Sequence, residues 1–78
     1  MDGLDDSAQW AAAIRRHLER RPRAGDTLEG IARWWLDAEP ADWPAIQRAL
    51  DALVATRELA CSLAGDGRAH YRKAPPSA

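Results

Sequence analysis

Apolar residues recur at spacings of three and four in three successive segments, the period of an amphipathic helix. The first segment predicts a helix over residues 7–21 that ends before Pro22, whose ring and missing N–H cannot continue a helix. Its apolar residues are Trp10, Ala11, Ile14 and Leu18. Asp6 and Gln9 stand three residues apart at its start, which indicates a capping box.

The second segment predicts a helix over residues 27–38, closed by Pro40. Its apolar residues are Leu28, Ile31, Ala32, Trp35 and Leu36. Asp26 is the expected N-cap and Glu29 the third helical residue, so carboxylates occupy the helix start.

The third segment predicts a helix over residues 43–57, with Asp42 as N-cap and Pro44 in the first turn. Its apolar residues are Ile46, Ala49, Leu50, Leu53 and Val54. These three segments are expected to bury one shared core.

From residue 59 the apolar period changes to two, and residues 65–67 predict a turn, so a β-hairpin follows the helices. A two-residue turn would set Leu63 opposite His70. A loop centred on the turn's aspartate sets Leu63 opposite Ala69 and Cys61 opposite Tyr71. We expect the second register, because it places these four residues on one face and buries them together.

Three helices followed by a hairpin resemble the winged helix-turn-helix superfamily over residues 7–73. The resemblance implies a small α+β fold, a three-helix winged helix-turn-helix with a C-terminal two-stranded β-hairpin wing. It identifies residues 43–57 as the recognition helix and 59–73 as the wing. Many members have glycine where this chain has Arg57, so Arg57 must adopt a left-handed conformation or extend the helix by a turn.

Composition is that of one small folded domain, with 78 residues of which 46% are hydrophobic and 29% charged. We expect an acidic disordered tail at residues 1–6 and a proline-containing disordered tail at 74–78. With one cysteine and no apolar run near the roughly 18 residues of a membrane span, the chain is predicted to be cytoplasmic, without membrane contact.

Catalysis is not indicated by any motif. The candidate reactive residues are Cys61, Ser7, Ser62, His17 and His70, and their spacing matches no nucleophile elbow, phosphate loop or structural zinc site. Cys61 is expected on the buried hairpin face, with His70 on the opposite face, and His17 is expected to be solvated among arginines. The prediction is therefore a protein that is not an enzyme, with no catalytic residues, cofactor, metal or small-molecule substrate.

Nucleic-acid binding is the function that the resemblance implies, through the recognition helix and the wing. The candidate residues are Gln47, Arg48, Arg68, Arg72 and Lys73. Two features oppose it: Asp51 shares the exposed face of the third helix, where it is expected to pair with Arg48, and the acidic start of the second helix already neutralises its N-terminus. DNA binding, as in a transcriptional regulator, is therefore the alternative.

Protein interaction or self-association is the favoured hypothesis. Trp10 and Trp35 belong to the apolar stripes, whereas Trp34 and Trp43 are expected to be partly exposed. Exposed tryptophan supplies large contact area, and the small side chains of the third helix allow close approach. The candidate interaction residues are Trp34, Trp43, Ala45 and Ala52.

Overall fold

The structure, a computed structural model that describes residues 6–75, contains three helices and a three-stranded antiparallel sheet in that range. In chain order the elements are α1 (Ser7–Arg20), β1 (Gly25–Asp26), α2 (Leu28–Gly30) continued by a π-helical segment (Ile31–Trp35), a 3₁₀ turn (Pro40–Asp42), α3 (Trp43–Ala55), β2 (Leu59–Leu63) and β3 (Ala69–Lys73). Residues 1–5 and 76–78 of the two expected tails lie outside the described range.

The predicted apolar stripes form the core. Its buried members are Ala11, Ile14, Leu18, Ile31, Ala32, Ile46, Ala49, Leu50, Leu53, Leu59 and Tyr71. Trp10 and Trp35 are partly buried and pack against this core from its edge. None of the helices within residues 6–75 has the length and hydrophobicity needed to cross a bilayer.

The start of the second helix differs from the prediction. Thr27, not Asp26, is the N-cap, and its hydroxyl accepts a hydrogen bond from the Gly30 amide at 3.2 Å. Asp26 cannot take that role because its backbone belongs to β1 and pairs with Tyr71. Its carboxylate instead accepts the Thr27 amide at 2.8 Å and lies over Gly30, where a Cβ would come within 2.0 Å of it.

The end of this helix is also earlier than predicted, at Trp35 rather than residue 38. The Leu36 amide donates to the carbonyl of Ile31, five residues back, which defines the π-helical turn. Asp37 then takes a left-handed φ of 50°, and the helix cannot continue.

Asp6 and Asp42 occupy the predicted N-cap positions of the other two helices, but neither side chain makes the capping hydrogen bond. Asp6 makes no side-chain cap hydrogen bond at α1. Asp42 also makes none at α3, because its carboxylate accepts the Glu39 amide at 3.3 Å and closes the preceding 3₁₀ turn.

Helix α3 ends at Ala55 because Arg57 adopts the left-handed conformation, with φ of 66°. The Glu58 amide donates to the Leu53 carbonyl at 2.9 Å and the Arg57 amide to the Val54 carbonyl at 3.0 Å. This pair of bonds is a Schellman motif. Of the two alternatives for Arg57, the first is correct.

The sheet has strand order β1-β3-β2, and the predicted two-stranded hairpin is therefore incomplete. A two-residue strand, with Gly25 opposite Arg72, carries no periodicity that would reveal it. The predicted register is confirmed, with Leu63 opposite Ala69 and Cys61 opposite Tyr71.

The expected burial of the hairpin face is wrong beyond its base. Leu59 is 2% exposed and Tyr71 is buried, but Cys61 is exposed and Leu63 is 75% exposed. The reason is that the core covers the central strand, where Tyr71 is buried and Ala69 packs against it, whereas β2 is the edge strand and is covered only at Leu59.

Candidate interaction surface

Trp34 has the most exposed large apolar side chain in residues 6–75, with 78% of its surface accessible. It lies in the π-helical segment beside Trp35, whose ring turns inward and stacks on His17 at a centroid distance of 4.4 Å. Single π-helical turns inside α-helices occur frequently at functional sites. Of these two consecutive tryptophans, Trp35 therefore packs against the domain and Trp34 is exposed to solvent.

Exposed charged residues stand close to Trp34 in the chain. Glu29 and Arg33 form an exposed ion pair, with Nε 3.7 Å from Oε2, and Asp37 is exposed just after the helix end. An aromatic side chain within a polar rim is the usual form of a protein-binding hot spot.

The other interaction candidates are less available. Trp43 is partly buried, and its indole Nε1 is inaccessible and has no hydrogen-bond partner among the described residues. Ala45 is partly buried, while Ala52 is exposed on α3. Only Trp34 and Ala52 of the four predicted residues are therefore fully presented to solvent.

His17 is not solvated as expected. Its ring lies nearly parallel to that of Trp35, with an interplanar angle of 11°, and is partly buried. Desolvation, with the nearby positive charges of Arg21 and Arg20, lowers the pKa of His17 below its ordinary value. The neutral ring is favoured, so His17 packs between α1 and the π-helical segment and adds no charge to the arginines around it.

Gln47, a candidate base reader, is already engaged. Its side-chain amide donates to Oδ1 of Asp51 at 2.9 Å and to the Tyr71 hydroxyl at 3.1 Å, which connects α3 to β3. The carboxylate of Asp51 therefore lies against Gln47, one turn away along the same helix. Arg48 is exposed on α3 as predicted.

The basic residues of the hairpin do not form one cluster. Arg72 and Lys73 are consecutive in β3, so their side chains leave opposite faces of the sheet. Nε of Arg68 lies 3.8 Å from Asp66, in the turn. Arg68 also lines a shallow hollow with Gln47, but Glu29 adds a carboxylate there.

The candidate catalytic residues are separated. Cys61 is exposed rather than buried, and His70 lies one position along the facing strand, opposite Ser62, with its side chain on the other face of the sheet. Within residues 6–75 no group of three His, Cys, Asp or Glu residues is arranged to hold a metal ion. The absence of enzymatic activity stays a prediction.

An exposed surface on β2 was missed by the sequence analysis. The strand is at the edge of the sheet, and the run from Leu59 to Gly65 contains no charged residue and no proline. Such residues usually protect an edge strand from pairing with another chain. Their absence was visible in the sequence, but the edge position was not.

Comparison with known proteins gives no relative: no protein-family profile matches this chain, and neither does any curated protein or solved structure.

Proposed function

We propose that this chain is a non-enzymatic winged-helix module that mediates protein-protein interaction or assembly, with Trp34 as its anchor. The observation that carries the proposal is the exposure of Trp34, 78% of whose surface is accessible. The succession of three helices and an antiparallel hairpin supports the winged-helix assignment.

The partner is a protein that offers an apolar pocket to the indole. A tryptophan exposed to water is stabilised when such a pocket covers it, and the energy of an interface is concentrated in a few aromatic or arginine side chains. The Glu29–Arg33 pair and Asp37 are exposed charges of both signs close to Trp34 in the chain, which suits the polar rim of an interface.

The proposal is tested by photo-crosslinking in the cells that make the protein, with p-benzoylphenylalanine in place of Trp34. We expect a discrete protein adduct at this position, because the replacement keeps an aromatic group at the anchor. The matched control carries the same group in place of Ala8, which is exposed on α1, and should give no such adduct. Equal adducts at both positions, or an adduct with nucleic acid, would contradict the proposal.

DNA binding is a second candidate because the hairpin carries exposed cations. Arg68, Arg72 and Lys73 are all exposed, and Arg48 is exposed on α3. Contacts by such residues to the phosphate backbone give affinity that falls with salt by a log–log slope of about 0.9 per phosphate. Under the first proposal, a labelled duplex of arbitrary sequence binds negligibly at physiological salt. Tight, sequence-selective binding that Arg48→Ala abolishes would favour this second function.

A further inference from the structure

Strand β2 has an open hydrogen-bonding edge. At its two ends the Glu58 carbonyl accepts the Ala74 amide at 3.1 Å and the Ala64 amide donates to the Arg68 carbonyl at 2.9 Å. Backbone groups alternate in direction along an antiparallel strand, so even-numbered residues between these two face β3. The N–H and C=O groups of Leu59, Cys61 and Leu63 therefore point to the other side, where no strand of residues 6–75 is paired with them.

The two halves of this strand are covered differently. Leu59, at the start, is 2% exposed beneath the helices, whereas Leu63, at the end of the same face, is 75% exposed. A second copy pairing antiparallel with its centre at Cys61 would place residue 63 of each chain opposite residue 59 of the other. The uncovered half of each strand would then lie beside the covered half of its partner, next to the partner's helices.

Charge also permits this arrangement. The paired segment is uncharged in both copies, so no like charges face each other across the new ladder. Arg57 precedes the strand and Asp66 follows it. Antiparallel pairing brings the Arg57 end of each copy to the Asp66 end of the other. Glu58 beside Arg57 and Arg68 beside Asp66 balance the charge at these ends, so the two copies do not repel each other there.

We propose that two copies of this chain associate through β2, in antiparallel register about Cys61, to form one continuous six-stranded sheet. We identify the occupant of the edge as a second copy because β2 is covered at Leu59 and exposed at Leu63. In an antiparallel pair of identical strands, the exposed end of each strand lies beside the covered end of the other. The inference depends on the edge of the sheet and is independent of the surface around Trp34.

Sedimentation velocity of the full chain tests the association. We expect the fraction of dimer to rise as the protein concentration increases from about 1 µM to 1 mM, the range of dissociation constants of small interfaces. Leu63→Lys should raise the dissociation constant about tenfold or more, because a buried edge does not accept two lysines. Gln9→Lys adds the same charge on exposed α1 and should leave the dimer unchanged. A monomer at every concentration overturns the proposal. It does so even if the edge of β2 pairs with a peptide from another protein.

The register is tested with glutathione disulfide as the oxidant. Two Cys61 thiols lose two protons and two electrons to form one disulfide, and the oxidant is reduced to two glutathione molecules. Their Cα atoms would be about 5.5 Å apart, within disulfide range. The control is a double variant that moves the cysteine by one position, Cys61→Ser with Ser62→Cys. In this variant the Cα atoms of the two cysteines would be about 8 Å apart, beyond the range of a disulfide. Rapid crosslinking at 61 and slow crosslinking at 62 is expected, and equal rates overturn the register.

Trp34→Ala separates this proposal from the first one. It should leave the dimer intact, whereas Leu63→Lys should weaken the dimer while p-benzoylphenylalanine in place of Trp34 still gives its protein adduct. Loss of the dimer in Trp34→Ala would place self-association on the tryptophan surface and overturn the pairing through β2.

Discussion

Among residues 6–75, two residues other than glycine adopt left-handed backbone conformations, Asp37 with φ of 50° and Arg57 with φ of 66°. Each terminates a helix, and Arg57 does so in a Schellman motif that usually contains glycine. The left-handed conformation brings Cβ close to the following carbonyl oxygen. The chain accepts this strain because both backbone bonds of the motif are made.

Arg57→Gly should therefore stabilise the domain by about 0.5–1 kcal/mol, the relief of Cβ strain less the added entropy of the unfolded chain. Urea unfolding followed by tryptophan fluorescence measures the change. Arg57→Ala is the matched control, since it removes the same side chain but keeps the Cβ, and it should give no gain. A similar gain in both variants would locate the cost in the arginine side chain rather than in the backbone.

The exposure and contacts of a single residue could be predicted where they depend on its neighbours in the sequence, and not where they depend on distant parts of the chain. The exposure of Trp34 followed from helical period, and that prediction is confirmed. The stacking of His17 on Trp35 was missed because these residues belong to different helical segments and are 18 positions apart in the sequence. The apolar pattern of one segment does not predict which residues of the other it will contact. The exposure of Cys61 was missed because alternation identifies a face of the strand but not where the covering helices stop.

The helices and the hairpin were predictable because each repeats its pattern several times. The elements that were missed are the short ones, namely β1, the π-helical turn and the 3₁₀ turn, which span two, five and three residues. A two-residue strand forms only because β3 offers it a partner. Its cause lies more than 40 residues away along the chain, outside any local window.

Truncation to alanine should have very different effects on stability at Leu50 in α3 and at Leu63 in β2. Leu50 is completely buried, so Leu50→Ala should cost about 2–5 kcal/mol through lost transfer energy and a residual cavity. Leu63 is 75% exposed, and Leu63→Ala should change stability by less than about 0.5 kcal/mol in the monomer. Thermal melts at low protein concentration measure both. Equal effects would mean that the hairpin tip is covered within a single chain.

An ion pair connects distant parts of the domain. Arg15 of α1 donates through Nε and Nη2 to the two carboxylate oxygens of Glu58, at 2.6 and 2.9 Å, and Thr56 donates to Oε2 at 2.7 Å. Glu58 is the last residue of the Schellman motif, 43 residues beyond Arg15. The pair therefore joins the first helix to the junction between α3 and β2.

This pair should make stability depend on pH in acid. The hydrogen bonds from Arg15 and Thr56 lower the pKa of Glu58 from 4.5 to about 2. Its stabilisation is present in full above the ordinary pKa and is lost as pH falls toward 2. We expect the melting temperature of the native chain to exceed that of Glu58→Gln at pH 6, and the difference to shrink between pH 4.5 and pH 2. Glu19→Gln, which lines the same cleft, serves as the control.

The order of strands also governs when the sheet can form. The central strand β3 comes later in the chain than both of its neighbours, so β1 and β2 each wait for residues 69–73. On a ribosome, the helices can fold as they emerge, whereas the β1 segment stays without its ladder until the β3 segment has left the exit tunnel. During that interval both hydrogen-bonding edges of β2 are unpaired, and an uncharged strand in that state is open to pairing with another chain.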